Sequence, residues 1–219
     1  MKHWLIFVFV LVGRFGYSQK MLLFKDAIIP TPHIDRQVKS WIESQPAFDE
    51  LSSTEQNFYY WVNYSRANPR RFLDSVVIPI TEAYPQLKGE YFESLRSELM
   101  AVDSLPMLVL NGGLIRLAKN HAIDITSHDT KPSHNSTNGD TFSDRFRKEK
   151  FQKCGAENLS FGEGEPLFLL TLLYLDIDVP GLGHRKTLLN AQYRETGIGA
   201  KNFKNGSIFL VEDFACAQD

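Results

Sequence analysis

From Leu51 onward the apolar positions recur with a helical period. Phe58, Trp61, Val62 and Ser65 share one face, and that helix must end near Asn68-Pro69, because a residue before proline avoids the α region. Ser53 with Gln56 can form a capping box at its start. Pro69 suits the first turn of a second helix carrying Phe72, Val76 and Val77. Residues 90–102 form a third amphipathic segment, with Phe92, Leu95 and Leu99 on one stripe. Asn111 caps the clearest helix, in which Leu114, Leu117, Ala118, His121 and Ile125 line one face. Residues 127–144 are polar and predict a loop. Pro166 opens another helix, residues 167–176, apolar nearly all round and therefore enclosed on every side. Residues 196–203 and 208–215 read as strands. Lys204-Asn205-Gly206-Ser207 joins them, and Asn-Gly is a strong hairpin signal. Helices first and hairpin strands last, around one core, predict an α+β chain or α-β-α sandwich.

The N-terminus follows a different pattern. Met1-Lys2-His3 precedes an apolar run from Trp4 to Val12, and Gly16-Tyr17-Ser18 precedes Gln19. A basic start, a short apolar stretch and small residues at −3 and −1 describe a secretory signal peptide, residues 1–18, cut between Ser18 and Gln19. A membrane span takes about 20 apolar residues, so no transmembrane segment is expected here. The alternative is a buried N-terminal strand. Residues 19–50, broken by Pro30, Pro32 and Pro46, read as an extension with one short helix near 35–44. The domain proper is residues 51–219. Export implies a secreted protein, extracellular or periplasmic, in an oxidising compartment. Cys154 and Cys216 could pair there, or remain as two buried thiols.

Composition narrows the class. Of 219 residues, 43% are hydrophobic and 23% charged, which excludes a disordered or collagen-like chain. A net charge of −2 gives no basic excess for nucleic acid or an anionic membrane. Two cysteines exclude a disulfide scaffold or a cysteine-rich zinc module.

Four residues carry candidate chemistry. His134 lies in a polar loop and Glu157 in a short apolar strand, where a buried carboxylate needs a partner or a metal. His184 follows Gly181-Leu182-Gly183 and precedes a helical run at 186–190. At a helix start an imidazole stays neutral, the form that ligates a metal or accepts a proton. Asp176 closes the apolar helix, where its charge opposes the macrodipole, so Arg185, a histidine or a cation should offset it. Asp178 is the alternate acid. Two histidines and two carboxylates could build a mixed N/O metal site or an acid–base cleft. His121, on the apolar face of its helix, reads as a packed core histidine. HExxH, GxSxG, P-loop and GxGxxG motifs are absent.

The motifs together resemble bacterial CAP (SCP-like) domains. Asn111 to Ala122 is similar to the helix that opens their core. His134 with Gly139 and Arg145 resembles the "sH…G…R" segment, and Ala156-Glu157-Asn158-Leu159 resembles "GEN(I/L)". Gly183-His184-Arg185 with Leu188-Leu189-Asn190 resembles "GHR..(I/L)L", and Thr196-Gly197-Ile198-Gly199 a "(V/I)G(I/V)G" strand start. Asn63, Arg66 and Pro69 are similar to the end of the family's first helix. The resemblance implies a three-layer α-β-α sandwich with a mainly antiparallel sheet. It also implies a cleft lined by two histidines and two acids that can bind zinc or another divalent cation. Carried over by motif these are His134, Glu157 and His184, with Asp176 or Asp178 as the second acid. The implied function is a secreted module binding metal and a peptide, lipid, glycan or other small-molecule ligand. The alternatives are a metal-assisted extracellular hydrolase, or an interaction domain whose polar cluster is purely structural. The protein partner, if any, is left open.

Overall fold

In the computed structural model, which describes residues 5–10, 22–25, 32–179 and 181–217, the expected C-terminal hairpin is the spine of a six-stranded sheet. The strands are β1 (Leu5–Val10), β2 (Leu22–Lys25), β3 (Val109–Leu110), β4 (Gly155–Gly162), β5 (Glu195–Asn202) and β6 (Ile208–Ala215), in the order β2-β1-β4-β6-β5-β3. All pairings are antiparallel except β3 with β5. The sheet is therefore mixed, though mainly antiparallel as expected. Asn205-Gly206 turns the hairpin, with Gly206 at φ 93° in the left-handed region that glycine favours.

One face of the sheet carries α6 (Gly112–Ser127), begun as expected at Asn111, whose side chain accepts from the Gly113 and Leu114 amides. The approach to β5 is very close. A Cβ built on Gly197 would lie 2.1 Å from the Leu114 carbonyl carbon, and one on Gly199 would lie 2.4 Å from that of Ala118. The two glycines are thus the seat of the helix. The loop expected over residues 127–144 is shorter, because Thr141 and Asp144 form a capping box that starts α7 (Phe142–Lys148) on the same face.

The other face buries Ile198, Leu210 and Phe214 against α2 (Ser53–Ala67), α5 (Glu90–Ala101) and α8 (Pro166–Leu175). Every residue of α8 is buried. The capping box of α2 is Ser52 with Glu55, one position ahead of the expected Ser53 and Gln56. A carboxylate accepts more strongly than an amide, and Glu55 is also held by the Ala200 amide and Lys119. After Pro69 the chain continues as α3 (Pro69–Phe72), a widened π turn (Leu73–Val77) and α4 (Ile78–Ala83). Pro79, which has no N–H to donate, accounts for the break in the ladder. The short helix of the extension is α1 (Arg36–Glu43), capped by Asp35 and packed on α2.

The Ser18–Gln19 junction lies outside the described residues. Within the apolar run, residues 8–10 of β1 pair with residues 160–162 of β4. Cys154 and Cys216 continue the β4–β6 ladder and form a disulfide, with Cα atoms 5.5 Å apart. Among the described residues no helix is long and apolar enough to cross a membrane.

Candidate functional site

Side chains alternate along β4, so neighbours in its sequence serve opposite faces. Glu157 stands opposite Asp213 and, one strand further, Gly197, whose missing Cβ points at α6. Glu157 therefore faces α6 and α7. There its Oε1 accepts from His134 Nδ1 at 2.8 Å, and its Oε2 accepts from Arg145 Nη2. The Glu157 side chain is 1% exposed, that of Arg145 9% and that of His134 22%, so only the histidine reaches solvent appreciably. Burial alone would push the Glu157 carboxyl up. The His134 hydrogen bond and the nearby positive charge of Arg145 outweigh it, and the group is held below the usual carboxylate range. Arg145 also donates from Nη1 to the His134 carbonyl at 2.8 Å, and to Ser136 Oγ and the Asp140 carbonyl at 3.3 Å. One guanidinium thus ties both ends of the 134–140 loop to β4.

His121 belongs to the same construction. It is buried, and its Nε2 donates to the Ser133 carbonyl at 2.8 Å, which makes it the Nε2–H tautomer. Burial lowers its pKa and keeps it neutral. The expectation of a packed, hydrogen-bonded histidine holds, with the added role of anchoring the start of the loop.

The second pair forms on the other face. Asn158 reaches the His184 carbonyl at 3.4 Å. His184 sits in the first turn of α9 (Gly183–Leu188), which begins three residues earlier than the helical run expected at 186–190. Its Nδ1 donates to Asp176 Oδ1 at 2.7 Å, while Asp176 Oδ2 accepts from the His184 and Arg185 amides at 3.0 and 3.3 Å. Asp176 has φ 54° as the left-handed residue ending α8. Of the groups expected to offset its charge, the histidine does so, and two backbone amides that were not expected join it. Arg185 turns away, donating to carbonyls of Tyr91, Tyr174 and Leu175 and to Ser94 and Glu98. It staples α5 to α8. Asp176, not Asp178, meets His184 in these bonds; Asp178 follows in the turn with φ 60°.

His134 and Glu157 are thus brought together, as are His184 and Asp176. Among the described residues no group of three or more His, Cys, Asp or Glu side chains could hold a metal ion. Zinc takes three or four protein ligands, and here both carboxylates are bonded to ring nitrogens, a guanidinium and amides instead.

The sequence reading missed the acids of β6. Asp213 and Glu212 are fully buried, on opposite faces. Among the described residues neither carboxyl oxygen of Asp213 meets a donor, and Glu212 Oε2 meets none. Burial, and the Glu157 charge beside it, raise the Asp213 pKa well above the ordinary range. Burial pushes Glu212 up to about 8, against the pull of Arg66. A Glu-Asp pair inside an otherwise apolar strand was the available signal, but its partners depend on strand register.

The family model of the cysteine-rich secretory protein family, CAP, matches residues 89–214, more than half of the chain. The chain belongs to the CAP family. No curated protein matches it. Among solved structures it is similar to an extracellular SCP-domain protein from Bacillus anthracis str. Ames. That match has 23% identity and a TM-score of 0.43, and covers 61% of this chain but only 41% of that one. It is also similar to an outer surface protein of Borrelia burgdorferi, with 22% identity, TM-score 0.43, and 62% and 94% of the two chains covered. A third is venom allergen-like protein 4 of Schistosoma mansoni, with 16% identity, TM-score 0.44, and 77% and 93% covered. In this CAP domain the "GEN", "H…R" and "GHR" motifs are the two histidine–carboxylate pairs and their arginines.

Proposed function

We propose that this CAP-domain protein is an exported binding module, in which the two histidine–carboxylate pairs hold the frame and an exposed surface takes the ligand. The observation that supports this reading is how the acids are used. Each oxygen of Glu157 and Asp176 accepts from a donor of the same chain. A general base needs acceptor capacity turned toward substrate, and a metal centre needs at least three converging ligands. The metal-assisted hydrolase therefore has less support than the binding module. Export draws its support from the leader read in residues 1–18 and from the family.

Two measurements test this. Intact mass of the protein recovered outside its native host should place the N-terminus at Gln19; retention of Trp4 would remove the export half of the reading. Zinc at a hundredfold excess should leave the melting temperature unchanged. A site with a Kd one hundredth of the free zinc concentration would add about 2.7 kcal/mol. A gain of that size, abolished by His184→Ala, would replace the framework role with a metal centre.

A further inference from the structure

We infer that the CAP domain binds a small amphipathic anion in the cavity between the end of α6 and the β5–β6 turn. The inference rests on the binding-module reading and names its ligand class. The cavity has a volume of about 440 Å³, within the range of small-molecule sites. Its floor is apolar. Phe161 and Phe203 meet edge to face with ring centres 5.2 Å apart, and Pro132 adds a third apolar wall. These rings continue the α6-side core through Phe209.

Both walls are built rigidly. The Asp129 amide donates to the Thr126 carbonyl and the Thr130 amide to that of Ile125, each at 3.2 Å, a Schellman ending that fixes where the chain leaves α6. Immediately beyond the wall, Ser133 is held by His121, and His134 by Glu157. On the far side the Phe203 amide donates to the Ser207 carbonyl at 2.8 Å, closing the turn that carries Asn205. A polar surface loop pinned by this many buried groups is preorganised, which lowers the entropic cost of binding.

The rim decides the charge of the ligand. Asp129 is paired with Lys204 across the mouth at 3.9 Å. Lys131 lines the cavity, is exposed, and has no hydrogen-bond or ion-pair partner among the described residues. The rim therefore carries one uncompensated positive charge above an aromatic floor. An apolar body with one acidic head satisfies both.

The test is fluorescence titration of the full chain with 8-anilinonaphthalene-1-sulfonate, beside its uncharged analogue N-phenyl-1-naphthylamine. The sulfonate should bind one to one and more tightly than the neutral probe. Lys131→Glu, a surface change that leaves the core intact, should weaken the sulfonate by about fivefold or more and leave the neutral probe within twofold. Phe203→Leu, which keeps an apolar core residue, should weaken both probes. Lys88→Glu, remote from the cavity, should change neither. Equal affinity for the two probes, or sulfonate binding indifferent to both Lys131→Glu and Phe203→Leu, overturns the inference. The export and zinc measurements above are unaffected by that outcome, so the broader reading stands or falls separately.

Discussion

Replacing Glu157 by glutamine is the sharpest test of the loop architecture. The substitution keeps the shape and removes one charge. Arg145, with its side chain 9% exposed, then loses the carboxylate it is bonded to, and His134 loses its charged acceptor. Removing one partner of a buried ion pair costs about 3–5 kcal/mol, because the remaining charge stays out of water unpaired. The amide oxygen can still accept one bond, so the lower end, about 3 kcal/mol, is expected. Urea unfolding at pH 7 measures it. A cycle with Arg145→Met should give a coupling of at least about 2 kcal/mol, because the double variant leaves no stranded charge. Hydrogen exchange in residues 133–140 should accelerate in Glu157→Gln and stay near wild type in α8. The acid limb follows from the same group. Its folded pKa is depressed, so its contribution is present above the ordinary carboxylate value of 4.5 and is lost as pH falls through the folded value. Glu157→Gln should therefore lie closest to wild type at low pH. A loss under about 1 kcal/mol with no coupling is what a solvated surface pair gives, and it would refute the reasoning.

Three further outcomes are expected. Reducing the Cys154–Cys216 disulfide, which spans 62 residues, should cost about 4 kcal/mol by the chain-entropy relation, read as the shift in denaturation midpoint with and without reductant. Gly197→Ala should destabilise by several kcal/mol or prevent folding, because its Cβ would fall 2.1 Å from backbone that belongs to α6; a cost below about 1 kcal/mol would show that the helix can withdraw. Stability should decline on the alkaline side. Glu212 and Asp213 have raised folded pKa values, so their contributions are complete below the unfolded values and are lost as pH rises, through about 8 for Glu212. Unfolding free energies from urea denaturation at pH 5 to 9 should fall in wild type by about 1.4 kcal/mol per pH unit for each such group over its window, and less in Glu212→Gln.

Much of the architecture was legible along the chain. The stripe from Leu114 to Ile125 and the Asn-Gly turn are local signals, and local hydrogen bonding and periodicity decide them wherever a single face is buried. The same holds for Asn68-Pro69 and for the all-apolar α8. Errors stayed local where two caps competed, as at Ser52 and Ser53, or where a short helix depended on one capping pair, as at Thr141 and Asp144. The chemistry-bearing residues His134, Glu157, Asp176 and His184 were also visible as types in the right places. What they do was not. Glu157 meets His134 and Arg145 because β4 turns it toward α6, and its neighbour Asn158 meets His184 because strand side chains alternate. Asp213 lies against Glu157 only through the register of β4 on β6, a relation between residues 56 positions apart that no local pattern encodes. The sequence by itself determined the long periodic helices, the C-terminal hairpin and its turn, and four of the polar groups that would need partners; it did not show α7, the strands β1 to β3 or the need of the β6 acids. Only the packing of α6 onto glycine-lined β5, and the strand register beneath it, decided which partners those groups found.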